Sequence, residues 1–114
     1  MAECRVLIHL SDRDKWSQAL AQALSFARET APSGLELVIV ADIFAGAVCI
    51  ACDRKLRETM IEFVDAGHRI EACEESLRRL NIRPEALPDF IRRVPNALSE
   101  IIRRQREGFH YIKV

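Results

Sequence analysis

Three glycines punctuate this chain in the same way, and that punctuation constrains its fold more than any other feature. Gly34, Gly67 and Gly108 each close a helical or turn segment, and each is followed at once by a strand-like run: "LELVIVADIF", "HRIEA" and "FHYIKV". Glycine suits the position after a helix end because it takes positive φ without a Cβ penalty. Helix, glycine, strand is the order of alternating β and α units, and such units build a largely parallel sheet covered on both faces. The fold class expected is therefore α/β.

The first strand is "RVLIHL", Arg5 to Leu10, short, branched and almost wholly apolar. Ser11 or Asp12 then offers an N-cap. From Asp14 to about Thr30, Trp16, Ala19, Leu20, Ala23, Leu24 and Ala27 recur at the spacings of one helix face, and "APSG" ends that helix. "LELVIVADIF" is the strongest strand, with both faces expected to be buried, and "AGAVCIACD" reads as a loop or short helical turn. Asp53 caps the next helix, whose apolar face is Leu56, Met60, Phe63 and Val64. "HRIEA" is a short third strand, "EESLRRL" a short helix stopped by Asn81, and "PEALPDF" a connection. "FIRRVP" is a weak strand whose arginines suit a sheet edge. Asn96 caps the last helix, with Leu98, Ile101 and Ile102 facing inward and the arginines of "IIRRQRE" solvated.

At 114 residues, 49% of them apolar, the chain has the size and the material for one domain, residues 1–114, around one core. Basic and acidic residues balance at 17 each, which gives no reason to expect nucleic acid or an anionic membrane as partner. The apolar run from Ala41 to Ala51 contains Asp42 and Gly46 and is too short to span a bilayer. "MAECRVLIHLSDRDK" has an early acid and only a short apolar run, so it is not expected to be a secretory signal. The expected location is the cytoplasm, where four cysteines suggest reactive or metal-binding thiols more than a disulfide scaffold.

Ligand sites of open α/β sheets gather beyond the carboxyl ends of the strands. Cys73 lies at the carboxyl end of the third strand, Cys49 and Cys52 just past that of the second, and His9 near that of the first. If the strands run parallel, all three thiols open onto one rim, with His9 and Gly46 as candidate binding residues beside them. Cys4 precedes the first strand and belongs at the opposite rim. Cys73 also stands at a helix start, where unpaired N–H groups and the helix dipole favour an anion. Glu74 and Glu75 oppose a second negative charge there, and Arg69 and Arg78 are placed to offset them. The alternative for Cys73 is a small buried hydrophobe at a tight strand-to-helix join.

Cys49 and Cys52 have the C-x-x-C spacing that lets two thiols form a disulfide or share a metal, and their alternative is also simple packing. A structural zinc needs four ligands. Cys49, Cys52, Cys73 and His9 or His68 could supply them, but no second ligand pair exists, so no metal is expected. "AGAV" is not a glycine-rich phosphate loop, and no organic cofactor is expected. His9, flanked by Ile8 and Leu10, reads as a hydrogen-bonded core or rim histidine rather than a catalytic base, and Trp16 as packing.

These residues also carry a family pattern. "VLIHL" ends a strand in His; "AGHRIEACEESLRRLNIRPEALP" runs glycine, strand, Ala-Cys, helix; "ALSEIIRRQREGFHYIKV" runs helix, Gln-x-Glu-Gly, aromatic strand. In these segments the chain resembles the DsrE/DsrF-like family of small sulfur-metabolism proteins, particularly its short single-domain members. The resemblance implies a three-layer α/β/α domain with a sheet of about five mainly parallel strands, assembled into trimers or hexamers. It also implies that Cys73 matches the cysteine that carries sulfur as a persulfide and passes it between proteins. Family members often have Asn and Thr where this chain has Glu75 and Ser76, and the Cys49–Cys52 pair is not a general family feature. The expectation is a cytoplasmic, homo-oligomeric sulfur handler, carrier or sulfurtransferase, with protein sulfur donors and acceptors. Cys73 accepts the sulfur, and Cys49 or Cys52 attacks the persulfide as relay or redox pair. The alternatives are a thiol-redox switch that carries no sulfur and a non-enzymatic oligomeric binding module of the same fold.

Overall fold

Strands β1 (Cys4–Leu10) and β2 (Leu35–Ala41) form the centre of a five-stranded parallel sheet in the computed structural model, which describes residues 4–29 and 34–114. Strands β3 (Arg69–Cys73), β4 (Arg92–Val94) and β5 (His110–Lys113) complete it in the order β4-β3-β2-β1-β5, every pair parallel. The helices are α1 (Trp16–Glu29), α2 (Ile43–Val48), α3 (Arg54–Asp65), α4 (Glu74–Arg79) and α5 (Ala97–Arg106). Among the described residues no helix is long and apolar enough to cross a membrane.

Strand order decides where the helices lie. From β1 to β4 the chain steps in one direction across the sheet, and right-handed crossovers then keep α1, α2, α3 and α4 on one face. The last crossover returns past β1 to place β5 at the far edge, so the same handedness puts α5 on the opposite face. The cores follow. Val6, Ile8, Leu37, Ile39, Ile70 and Ala72 meet Trp16, Leu20, Met60, Phe63 and Leu77 on the first face. The alternate strand residues Leu7, Val38, Val40, Cys73 and Val94 meet Ala97, Ile101 and Phe109 on the second. The result is a three-layer α/β/α fold with four helices on one side and one on the other.

Local signals place the element ends. Asp53 caps α3 by accepting the Leu56 N–H at 2.8 Å, and Asn96 caps α5 by accepting those of Leu98 and Ser99. Gly67 and Gly108 follow α3 and α5 with φ of 99° and 95°, and Asn81 takes φ 61° after α4. The weak "FIRRVP" strand is an edge, as its arginines suggested. Trp16 packs as expected, its indole N–H donating to the Ala45 carbonyl at 2.9 Å and so tying α1 to α2.

Other expectations need correction. β2 stops at Ala41, short of the expected "LELVIVADIF": Ile43 turns at φ 50°, and "IFAGAV" forms α2, the helical alternative for this stretch, beginning at Ile43 rather than Ala45. A single 3-10 turn (Arg13–Lys15) precedes α1, and neither Ser11 nor Asp12 caps it, because Ser11 donates its hydroxyl to Asp42 instead. Thr30 and residues 31–33 of the expected "APSG" stop lie outside the described residues, as do residues 1–3. In α5 only Ile101 of the expected inward trio is buried; Leu98 is 68% and Ile102 48% exposed. The inward row is Ala97, Glu100, Ile101 and Arg104, so one arginine expected in solvent lies inside. The cause is β3, which presents Glu71 to that helix, and Arg104 answers it at 2.7 Å.

Candidate functional site

The sheet has one place where neighbouring strands send the chain to opposite faces. After β3 the chain turns to α4 on the first face; after β4 it turns to α5 on the second. Such a divergence opens a crevice at the carboxyl edge, with two helix N-termini pointing into it. Cys73, the last residue of β3, pairs in register with Val94, the last of β4, and stands in that crevice.

Its sulfur accepts a backbone N–H from each helix, that of Ser76 at 3.4 Å and that of Ala97 at 3.3 Å. These are donors that helix starts otherwise leave unpaired. Cys73 is thus the N-cap of α4 and also receives the first N–H of α5. Only 4% exposed, it lies with Val38, Val40 and Val94 below, and it lines a cleft of about 230 Å³ with His9, Asp42, Ser76, Arg79, Asn96 and Leu98.

The two carboxylates that opposed an anionic sulfur are both engaged. Glu75 accepts from Asn96 Nδ2 at 2.6 Å and from Arg79, and these hydrogen bonds hold its carboxyl below the ordinary range. Glu74 accepts from Arg93 at 2.7 Å. The partners are therefore Arg79 and Arg93, not the expected Arg69 and Arg78. Position along the helix decides it: Arg79 is one turn from Glu75 at i+4, and Arg93 arrives from the neighbouring strand.

His9 stands where the sequence placed it, with partners the sequence did not reveal. Its Nε2 lies 2.9 Å from Asp42 Oδ2, its Nδ1 2.8 Å from the Tyr111 hydroxyl, and Ser11 donates to Asp42 Oδ1 at 2.5 Å. With Asp42 ionised, Nε2 carries the proton and donates, so in the neutral ring Nδ1 accepts from Tyr111. Burial pushes the Asp42 carboxyl up, but hydrogen bonds from His9 and Ser11 and the charges of His9 and Lys113 outweigh it, leaving the group below its usual range. Asp42 follows Ala41, whose register partner is Ala72, so it stands beside Cys73 at the edge of the sheet. Sequence reasoning missed Asp42 as a site residue. The signal was present: it follows the apolar run Leu37–Ala41 at the carboxyl end of a strand, the kind of position by which His9 and Cys73 were placed.

The expected shared rim of three thiols is not what the fold builds. Cys49, 1% exposed, closes α2 within the first-face core, and its thiol donates to the Ala45 carbonyl at 3.8 Å. Burial, with a smaller push from Cys52, drives the Cys49 thiol up to about 12. Cys52 packs at the margin of the same core and is also raised, chiefly by burial. Both therefore lie across the sheet layer from the second-face core that holds Cys73. The reason is topological: α2 follows the same crossover direction as α1, away from α5. Gly46, expected at the rim as a binding residue, is buried inside α2 instead. A Cβ there would lie 3.7 Å from Leu77, so its place in the fold is helix packing. Among the described residues no group of three or more His, Cys, Asp or Glu side chains is arranged to hold a metal ion.

No protein-family model and no curated protein matches the chain. Solved structures do. MTH1491 of Methanobacterium thermoautotrophicum, a protein of unknown function, aligns over 98% of this chain and 100% of its own with a TM-score of 0.86 at 21% identity. The YchN protein of E. coli aligns over 97% and 99% with a TM-score of 0.73 at 8% identity. BT1422 of Bacteroides thetaiotaomicron, a conserved protein of unknown function, covers 95% and 94% with a TM-score of 0.63 at 12% identity. Across nearly its whole length, then, this chain shares its fold with MTH1491 and YchN.

Proposed function

We propose that the chain is a sulfur-handling protein in which Cys73 is the sulfur-accepting thiol. One observation carries the reading: the Cys73 sulfur accepts N–H groups from the starts of two helices while lining a cleft it shares with His9, Asp42 and Arg79. Two such donors stabilise negative charge on sulfur, which is the form that attacks. In the proposed step the Cys73 thiol gives up its proton and attacks the outer sulfur of a donor persulfide, R–S–SH. A new S–S bond forms as Cys73–S–SH, the donor S–S bond breaks, and the leaving R–S⁻ takes up a proton. The resemblance to DsrE/DsrF-like proteins supports the same role for this position.

Cys49 and Cys52 have no part in the step, since both lie with the opposite core. The thiol that later removes the sulfur comes from an acceptor protein. A C-x-x-C redox switch is disfavoured by the same placement, because a thiol pushed up to about 12 supplies little thiolate at neutral pH. A cytoplasmic setting, where thiols stay reduced, suits this chemistry. Self-association into a trimer or hexamer belongs to the reading, supported by the exposed Leu98, Ile102 and Tyr111 on the face that α5 covers alone.

Intact mass spectrometry after incubation with polysulfide tests the reading. Wild type gains one sulfur mass, reductant removes it, and Cys73→Ser does not gain it. Sulfur added equally to Cys73→Ser, or to neither protein, rejects Cys73 as the acceptor.

A further inference from the structure

Beneath α5, two turns of helix from the end that meets Cys73, three charged side chains are buried together. Glu71 is 2%, Arg104 4% and Glu100 7% exposed. Arg104 Nη2 donates to Glu71 at 2.7 Å and its Nε to Glu100 at 3.0 Å, so one guanidinium serves two carboxyl groups. The second oxygen of Glu71 is buried with no N–H or O–H directed at it among the described residues. A buried acceptor left in that state costs about 1–3 kcal/mol, more for a charged group. A proton on that carboxyl, hydrogen bonded to Glu100, removes both the charge excess and the conflict.

Other charged groups around Glu71 do not relieve it. On α5, Arg103 binds Glu100 and Glu107 from the solvent side, and Glu107 stands 4.0 Å from Arg104. On β4, Arg92 is the register partner of Glu71, but its side chain is exposed and makes no ion pair among the described residues. On β2, Val40 is the register partner and Glu36 approaches Arg104 at 3.9 Å, adding negative charge; on β1, Arg5 is drawn to Glu36 at 3.6 Å, and His9 is committed to Asp42 and Tyr111.

Glu71 and Cys73 occupy successive positions on the same face of β3, and α5 touches both. Ala97 donates to the Cys73 sulfur at one end, and Arg104 grips Glu71 two turns later. We propose that Glu71, Glu100 and Arg104 are positioning residues for Cys73: a proton shared by the two carboxyl groups holds α5 down on β3, and its loss lets the α5 N-terminus lift from the sulfur. With the proton present, two carboxyl groups and one guanidinium form a nearly neutral buried cluster. Without it, two carboxylates face each other in a low-dielectric layer and push helix and strand apart. Burial, reinforced by the hydrogen bond with Glu100, raises Glu71 to about 7, so the proton is exchanged close to neutrality. The lifted state gives a little-exposed sulfur access to a reagent at the loss of the Ala97 N–H, while the Ser76 N–H of α4 stays on the sulfur to favour its negative charge. The device rests on Cys73 being the reacting thiol of the cleft, not on the identity of what it reacts with.

Iodoacetamide labelling of Cys73 from mildly acidic to mildly alkaline pH tests it, because alkylation reads access to the thiol without requiring sulfur carriage. In wild type the rate climbs through neutrality more steeply than one ionisation allows. Glu71→Gln, whose amide copies the protonated acid, follows a single ionisation and labels about tenfold more slowly than wild type on the alkaline side, a difference of about 1.4 kcal/mol in access. Superimposable curves overturn the proposal. In unaltered wild type, a carbon-detected NMR titration of the Glu71 carboxyl shows protonation near neutral pH, and protection of the Ala97 amide from hydrogen exchange falls as that proton leaves. A carboxyl ionised across the whole range overturns the latch, while polysulfide loading of Cys73 would still stand.

Discussion

The Cys73 sulfur takes hydrogen bonds from two helices, and the turn that brings Asp42 beside it is strained. Asp42 is pinned on three sides: its backbone N–H donates to the Leu10 carbonyl at 3.0 Å, and its side chain accepts from His9 and Ser11. The chain must then reverse at once into α2, whose Ala45 N–H reaches back to the Ser11 carbonyl at 3.0 Å. Ile43 absorbs the turn at φ 50°, a region a β-branched residue enters only when its neighbours force it. The cost is about 1–2 kcal/mol for an L-residue, and asparagine tolerates the conformation better. Ile43 is about half exposed, so little packing is lost on replacing it. Ile43→Asn is expected to raise stability by up to about 1 kcal/mol, read as a higher urea midpoint at unchanged m-value. A lower midpoint means that apolar contact at this turn outweighs the strain.

At the scale of elements, α5 shows how a helix with a clear apolar pattern can present a different face. Leu98 and Ile102 are its largest apolar residues with Ile101, yet they point outward, because Asn96 fixes the start and Glu71 on β3 fixes the inward row. The outward pair and exposed Tyr111, the register partner of Leu7, belong to the one sheet face that no second helix covers. Leu98 is largely and Ile102 about half exposed, so replacing both with glutamate is expected to lower the unfolding free energy by only about 1 kcal/mol. Light scattering after size exclusion is expected to show wild type as a multiple of the chain mass and Leu98→Glu/Ile102→Glu as a monomer. A monomeric wild type, or an unaltered multimer in the double variant, rejects this surface as the assembly interface. The helix also explains a partial success of the sequence. Its start and stop were legible at Asn96 and Gly108, since capping depends on adjacent residues; its orientation was not, since that depends on β3.

Across the whole molecule, the buried carboxyl pair gives stability two opposed dependences on pH. Burial raises Glu71 to about 7, so between the ordinary carboxylate range and that value the folded chain holds a proton that the unfolded chain has released; stability falls as pH rises through this window. Glu100 goes the other way. Burial pushes it up, but hydrogen bonds from Glu71, Arg103 and Arg104 outweigh it and bring it to about 2. Its contribution, like that of the lowered Asp42, is full above the ordinary carboxylate range and is lost as pH falls below it. Urea midpoints are therefore expected to peak in the mildly acidic range and decline towards neutrality. Glu71→Gln should abolish the decline on the neutral side while leaving the acid limb in place. A wild-type midpoint that keeps rising to neutral pH contradicts this account of the pair.

The sequence by itself determined the repeating order of strand and helix, the element ends at Asp53, Gly67, Asn96 and Gly108, and the placement of His9 and Cys73 at the carboxyl edge of a parallel sheet. These follow from interactions within a few residues and from the handedness of crossovers, which any parallel order obeys. Only the tertiary structure decided that β5 returns beside β1, and with it that α5 alone crosses to the second face. That crossing separates Cys73 from Cys49 and Cys52, draws Ala97 to the Cys73 sulfur, and sets Arg104 against Glu71 across 33 residues of chain. Strand order leaves no mark on local periodicity. A charge is buried only where its partner arrives from a distant segment, so no window along the sequence contains both halves of the pair.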